Sequence, residues 1–351
     1  MEKNNNKPSF GKRILGMSDT NMLLSITIIV FVIMYICSIV FMGGAFSKPQ
    51  TLFNILNSNA PLIITACGMS IVMITGGIDI SVGGVVGLVT MVCAVNLDFQ
   101  GGNVFTALLL ALGIGLAFGI VQGILVAYLG IQPFIVTLAG MFFARGLTTI
   151  IHTNPFNIAN KDFIALKDTR IPIPGLGYEN LNGVYIDAYI EIGVVIALLI
   201  VAILFAVLRW TKKGRNFYAV GGNKQSALML GINVKRTVFA SHLICGLLAG
   251  LAGFVFVLHS ANGAVTNAQG MEMNAIAASI VGGTMLTGGV GNMIGTFFGV
   301  LSLALIQSIV ALAGLDDPWW TGITIAAMLC LFLLIQSVIM AQKRKMVNSQ
   351  K

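Results

Sequence analysis

The sequence predicts an all-α polytopic membrane protein with about ten transmembrane helices and broken, glycine-rich segments. Three observations carry this. The 351 residues are 57% apolar and only 9% charged, with a mean hydropathy of +0.93, whereas an average soluble domain carries roughly 25% charged residues. Apolar runs approaching the ~20 residues needed to cross a bilayer recur along the chain. Two polar, glycine-rich breaks interrupt them: T-G-G-I-D-I-S-V-G-G from Thr75 to Gly84, and G-G-T-M-L-T-G-G from Gly282 to Gly289. Overlaid with Gly76 on Gly282, they share G-G-x-x-[I/L]-[S/T]-x-G. Irregular backbone at membrane depth survives only where protein covers it or an aqueous cavity wets it, so the breaks point to a path through the bilayer.

The expected spans are 22–43, 58–75, 79–97, 104–128, 133–151, 189–210, 237–259, 274–287, 292–313 and 319–341. The eighth is too short to cross alone and reads as a half-helix or a helix interrupted at Gly282-Gly283. Pro133 and Pro318 stand near span starts, where a missing N–H costs least. In the fourth span Gly115, Gly119 and Gly123 form a small-residue ridge suited to close helix packing. Domain organisation follows: a polar tail over 1–20, one transmembrane domain over 21–342 with a polar loop at 211–236, and a tail over 343–351. The first span reads as a retained helix, since no small-residue cleavage site follows a short apolar core. Loop 152–188, with Pro155, Pro172, Pro174, Gly175 and Gly177, reads as an ordered cap or an interfacial segment.

The net charge is +8, and its distribution says more than its sum. Against these spans, Lys3, Lys7, Lys12, Arg13, Arg209, Lys212, Lys213, Arg215, Lys224, Lys235, Arg236, Lys343, Arg344, Lys345 and Lys351 fall on one side, and Lys48, Lys161, Lys167 and Arg170 on the other. The positive-inside rule makes both termini and the central loop cytoplasmic. No basic patch sits on a soluble scaffold, so nucleic-acid binding is excluded. Cys37, Cys67, Cys93, Cys245 and Cys330 all lie in apolar segments without a C-x-x-C pair and read as small buried hydrophobes rather than a disulfide framework or metal site.

Among the residues of the breaks, Asp79 is the one acidic residue deep in a span. It either caps the helix that follows or acts directly in gating or on substrate; Ser81, Gly83 and Gly84 allow close helix approach. Arg145 in the fifth span snorkels, pairs with a carboxylate or helix C-terminus, or faces an aqueous path. His242 and His259 bracket the seventh span without a carboxylate at ligand spacing. Path-lining candidates also include Asn59, Thr65, Ser70 and Thr75. In loop 211–236, Lys224 to Leu230 reads as a short helix closed by Gly231. Ala227, Leu228 and Leu230 give it an apolar face, suited to a partner's groove or to lying on lipid. No phosphate-binding G-x-x-x-x-G-K-[S/T], G-x-S-x-G or H-E-x-x-H occurs, so neither nucleotide binding of that kind nor catalysis is expected of this chain.

Three stretches, residues 75–84, G-R-N-F-Y-A-V-G-G-N-K-Q-S-A-L-M-L-G-I-N-V-K-R (214–236) and I-V-G-G-T-M-L-T-G-G-V-G-N-M-I-G (280–295), resemble the signatures of bacterial monosaccharide ABC importer permeases, of the ribose/galactose/xylose/autoinducer-2 branch. The likeness spans roughly residues 50–340. P-F-I-V-T-L-A-G-M-F-F-A-R-G (133–146) and D-P-W-W-T (317–321) resemble a galactofuranose-type permease most. The resemblance implies a type II importer permease that forms the translocation path and pairs with a second permease chain, identical or paralogous. It also implies a sugar-specific ABC ATPase holding the ATP and Mg, an extracytoplasmic sugar-binding protein, and no cofactor in this chain. Lipid surrounds the assembly and a monosaccharide is the cargo. The ATPase-coupling residues would be Gly214, Arg215, Gly221, Gly222, Asn223, Lys224, Ala227, Leu228, Leu230 and Gly231. The path or gate would be formed by Gly76, Gly77, Asp79, Ser81, Gly83, Gly282, Gly283, Thr284, Thr287 and Gly288. Glu272 and Asn274 would meet the binding protein, or Glu272 would cap its helix; where the family commonly has E-L-D-A-I-A, this chain has Glu272-Met273-Asn274-Ala275-Ile276-Ala277 and so lacks the charge at Asn274. The competing reading is an ATP-independent secondary sugar transporter or facilitator, whose need for membrane carboxylates this sequence barely meets.

Overall fold

The structure is a computed structural model that describes residues 19–179, 185–314 and 318–348. The basic residues of both tails outside that range, and residues 315–317, lie beyond the described residues. Among the described residues, eight helices are long and apolar enough to cross a membrane: α1 Asp19–Met42, α2 Pro49–Ile74, α3 Ser81–Asp98, α4 Val104–Ala127, α5 Pro133–Ile151, α7 Ile192–Trp210, α10 Val234–Ser260 and α12 Met293–Leu312. Between them lie a short helix α6 Lys161–Lys167, two helices α8 Lys212–Gly222 and α9 Lys224–Met229, and α11 Met271–Val281; α13 Pro318–Asn348 follows. Strands β1 Phe156–Asn157 and β4 Asn262–Gly263 pair, as do β2 Arg170–Glu179 and β3 Tyr185–Glu191. The chain is a multi-pass helical membrane protein.

The axis of the bundle is α2. Most of its length is buried, from Ala60 to Ile74 without interruption, and it packs against α10, α11, α12 and α7. The hydropathy pattern starts this helix at residue 58, but it begins at Pro49, whose missing N–H is harmless at the first helical position. The extra turns are polar and bond outward. Gln50 accepts from the Tyr189 N–H at 2.9 Å, and Asn57 accepts from the Glu191 N–H at 2.9 Å. They thereby anchor β3 over the end of the bundle. The first part of loop 152–188 is tied down there: the Asp98 carboxylate accepts from the N–H groups of Ala159 and Asn160, and Asn160 caps α6.

Helices α4 and α10 meet through glycine. A Cβ on Gly246 would lie 2.7 Å from the Gly119 Cα, and one on Gly115 would lie 2.9 Å from the Gly250 backbone. The ridge at Gly115, Gly119 and Gly123 thus holds two backbones in contact, the arrangement that replaces hydrophobic driving force in lipid. Of the five cysteines, Cys67, Cys93 and Cys245 are buried as expected; Cys37 and Cys330 are exposed on α1 and α13, because those outer helices turn most of their surface away from the bundle.

Gly246→Val should overpack the α4–α10 seam and cost about 1–3 kcal/mol or more. Gly113→Ala, beside open space, should leave stability within ~0.5 kcal/mol. Thermal unfolding followed by size-exclusion in detergent distinguishes the two, and equal melting of both variants would contradict the seam.

Candidate functional site

Helix α11 has only 11 residues, about 16 Å at 1.5 Å per residue, half of a ~30 Å hydrocarbon core. It stops at Gly282, and the chain turns through 282–292 before α12. The carbonyl of Val281, left without an intrahelical partner, accepts from the Thr27 hydroxyl of α1 at 2.7 Å. The turn closes on itself through Met285 N–H to Val290 O at 3.0 Å, with Gly283, Gly288 and Gly289 at φ of 88°, 84° and 75°, which side chains with a Cβ rarely adopt. The eighth segment is therefore the half-helix the sequence allows.

The two breaks come together. Gly289 donates its N–H to the carbonyl of Ile74, the last residue of α2, at 2.9 Å. The Gly76 backbone lies against Gly288, where an added Cβ would stand 3.0 Å from it. Wedged against both is the end of α8. A Cβ on Gly221 would run into the Ile74 carbonyl and stand 2.6 Å from the Gly289 nitrogen, and a Cβ on Gly289 would stand 2.8 Å from the Gly222 Cα. Tyr218 of α8 donates to the Gly291 carbonyl at 2.9 Å. Three segments distant in sequence thus share one backbone junction that tolerates no side chain, at the end of the bundle carrying the basic loop. Each break also joins a helix arriving at this end to one leaving it.

Helix α8 is the element that sequence reasoning missed, reading residues 211–223 as loop because of their charges and glycines. Its signals were present: Thr211 caps it by accepting from the Gly214 N–H, and Gly214, Phe217 and Val220 recur at three-residue spacing as its buried face. Gly214 packs tightly on the α7 backbone at Leu208. Asn223 then caps α9, accepting from Ser226 N–H at 2.9 Å, and Gly231 closes it at φ 78°. The apolar face of α9 needs correction: Ala227 is buried inward at 1%, whereas Leu228, Met229 and Leu230 project at 57, 80 and 78% exposure. Arg215 and Lys224 are exposed beside them.

Asp79 is 1% exposed. Its Oδ1 accepts from the Ser81 N–H at 3.0 Å and the Ser81 hydroxyl at 2.6 Å, and Gln122 of α4 donates to the Ser81 hydroxyl at 2.8 Å. The carboxylate thus organises the first turn of α3 from one residue before its cap position, Ile80. The second oxygen, Oδ2, stands 3.8 Å from Nδ1 of His242, and neither atom makes a hydrogen bond. His259 likewise meets a carboxylate, Glu191, at 2.6 Å. Sequence spacing could not show either pair, because each joins α10 to a residue far away in the chain, Asp79 in the first break and Glu191 at the end of β3. No group of three ligand-type side chains able to hold a metal occurs among the described residues.

Other expected residues fall elsewhere. Thr65 donates to its own helix at the Pro61 carbonyl, Ser70 joins Ser279 and Thr296, and Thr75 donates to Ser241; all three are buried within the subunit rather than lining an opening. Asn59 is half-buried and donates to Ile55 O. Gly77 packs on Val72, Gly282 on the Gly295–Thr296 backbone and Thr284 is buried, while Thr287 is exposed on the turn. Arg145 donates to the carbonyls of Asn267 and Ala268, both at 2.7 Å, lying in the space left by Gly87. Glu272 does not reach the surface in this chain. Its carboxylate is buried over Gly83 with Oε2 unpartnered, so a contact with an external protein would require it to move; nor does it cap α11, whose N-cap Gly270 carries no side-chain bond. Asn274 is half-buried.

Residues 51–333 match the model of the family described as "Branched-chain amino acid transport system / permease component". The chain belongs to this family. It is 37% identical over 316 residues to the inner membrane ABC transporter permease protein YjfF of Escherichia coli K12, covering 90% of this chain and 92% of that one. It is 33% identical to the fructose import permease protein FruG of Bifidobacterium longum, covering 90% of each. It is 34% identical to the ribose import permease protein RbsC of Escherichia coli K12, covering 82% of this chain and 86% of that one. No solved structure matches it. The chain is thus the permease component of an ABC transporter and not an enzyme; ATP hydrolysis belongs to a partner ATPase.

Burial pushes the Tyr218 phenol up to about 12, against the opposing pull of the nearby Arg209 guanidinium. A raised folded-state value means that the donor form is favoured below the ordinary ~10 and that this contribution is lost as pH climbs from there through 12. Tyr218→Phe should therefore cost about 0.5–1.5 kcal/mol, with the difference from wild type constant up to pH 9 and shrinking above 10 in thermal melts. A difference that varied between pH 6 and 9 would contradict the assignment. Asp79→Ala, which strips two hydrogen-bond donors of a buried acceptor, should reduce the yield of folded protein before it alters substrate preference; normal expression and transport would refute that.

Proposed function

We propose that this chain is the path-forming subunit of a monosaccharide importer, driven by a separate ATPase through α9. The observation that carries the coupling half is the exposed apolar edge Leu228–Met229–Leu230, hung on a helix pair whose other end is wedged into the glycine junction. Leucine and methionine side chains projecting from a short helix suit a groove in a partner. A push on α9 passes through Ala227 to α8, and from Gly221 and Tyr218 directly to the backbone of both breaks. Glycines leave no flexible side chain there to absorb the displacement, so α2–α3 and α11–α12 would shift together. The charge bias puts this end in the cytoplasm with both termini.

The sugar half rests on relatives whose names specify fructose and ribose import and on the three signature stretches. The galactofuranose type, and with it a pairing of two different permease chains, is the finer reading that residues 133–146 and 317–321 favour. An external binding protein would deliver the sugar to the opposite end. Gly76, Gly77, Asp79, Ser81, Gly83, Gly282, Gly283, Thr284, Thr287 and Gly288 act in this reading as the hinge that sets the path, rather than as groups that touch the sugar.

Leu228→Glu should abolish a docking hot spot worth roughly 2 kcal/mol, weakening association with the ATPase about 30-fold and lowering sugar-stimulated ATP hydrolysis accordingly. Unchanged stimulation in an intact complex would sink the coupling role, and uphill sugar movement by the permease alone in liposomes would favour the ATP-independent reading.

A further inference from the structure

At the basic end, next to the glycine junction, lies a cavity of about 520 Å³ between the start of α1, the end of α7, α8 and the start of α12. That volume falls in the roughly 300–1,000 Å³ range of small-molecule sites. Its lining has two characters. Arg209, Asn21 and the first turn of α12 at Asn292 present cationic and hydrogen-bonding groups, while Leu24, Phe205 and Met293 form apolar walls. No carboxylate is among the described lining residues, and no described side chain forms an ion pair with Arg209. The adjacent Trp210 is 71% exposed and meets Phe205 edge-on, the placement of an aromatic anchor at the membrane–water boundary.

We propose that this cavity holds the headgroup of an anionic phospholipid, its phosphate on Arg209 and the α12 N-terminus and its glycerol and acyl stems against Leu24, Phe205 and Met293. A guanidinium attracts the phosphate of either lipid, but a zwitterionic lipid brings a cationic choline to the same place, whereas an anionic headgroup brings net negative charge. The start of α12, a helix of 20 residues, adds the favourable end of a dipole, with the Ile294 N–H already taken by the Asn292 side chain. The apolar walls would stay wetted by a free anion but are covered by a lipid. Basic pockets between helices at the cytoplasmic boundary are a recurrent form of such recognition. Gly289 and Tyr218 also line the cavity, so the lipid touches the junction through which α8 meets both breaks. Occupancy would brace that junction, making motion there sensitive to membrane composition.

The test uses the full-length chain in detergent and native mass spectrometry, titrating dioleoyl-phosphatidylglycerol against dioleoyl-phosphatidylcholine. The wild type should retain phosphatidylglycerol at least about fivefold better, the factor expected of one arginine at a membrane surface. Arg209→Ala should erase the preference and Arg209→Lys keep most of it. Leu24→Trp, which fills the apolar wall and leaves the cation in place, should also lower retention, and carries the test if Arg209→Ala does not fold. Equal retention of the two lipids, or a preference that survives both substitutions, would overturn the proposal. So would displacement of phosphatidylglycerol by an equal concentration of inorganic phosphate, which would mark a site for the free anion. None of these readouts depends on the transported solute or on an ATPase.

Discussion

The structure depends on satisfying the backbone of two helices, α2 and the short α11, whose ends meet at one end of the bundle. A helix end leaves N–H or C=O groups without partners, and lipid offers none. Here the ends satisfy one another: Ile74 O takes the Gly289 N–H, Val281 O takes the Thr27 hydroxyl, and Gly291 O takes the Tyr218 hydroxyl. This works only if the segments approach to backbone contact, which is why glycine occupies positions 221, 288 and 289. The requirement ties elements far apart in sequence to one point, and puts α8 and α9 in mechanical contact with the bundle instead of leaving them as a surface loop.

The same economy of side chain recurs around the junction. Gly83, Gly84 and Gly87 on one face of α3 let Glu272, the α5 backbone and Arg145 lie close. The α4–α10 glycine seam fixes the helix that carries His242 beside the break that carries Asp79. Polar groups in the interior are consequently short and locally committed. Gln122, Ser81 and Asp79 form a chain from α4 to the first break, and Ser70, Ser279 and Thr296 join α2, α11 and α12. These networks fix how helices sit against one another, while Asp79 Oδ2, His242 Nδ1, Ser260 Oγ, Glu272 Oε2 and Thr284 Oγ1 stay unpaired.

Much of this was legible in the sequence because lipid makes composition and period decisive. Ten apolar helical segments, the shortness of the eighth, the proline starts and the glycine ridge of α4 follow from that constraint. The start of α2 was not legible, since its first turns carry Gln50, Asn54, Asn57 and Asn59, and the β3 partners of Gln50 and Asn57 lie more than a hundred residues away. Nor was α8, in which buried glycine stands where a hydropathy pattern expects an apolar side chain. For α9 the apolar residues were recognisable but their directions were not: with only six residues, docking on α8 decides that Ala227 points in and Leu228 out. The meeting of the two breaks was visible only as a shared pattern, because sequence likeness between repeats does not say that they touch.

The placement of the interior hydroxyls bears on where sugar selectivity can arise. A site that discriminates among sugars must present hydrogen-bond partners that stay unpaired when the wrong hydroxyl arrives, since an unsatisfied buried group is what makes rejection strong. Along α2 the residues that resemble such partners are already engaged, Thr65 with its own helix, Ser70 with Ser279 and Thr296, and Thr75 with Ser241. A sugar entering between them would have to break bonds that also hold the helices together. Among the described residues, most buried side-chain polar atoms without a partner lie instead at the breaks and beside them: Asp79 Oδ2 and His242 Nδ1 at the first, Thr284 Oγ1 in the second, and Glu272 Oε2 on α11. The hydroxyls along α2 therefore hold helices together, and a hydroxyl entering the interior there would meet uncommitted partners at these atoms.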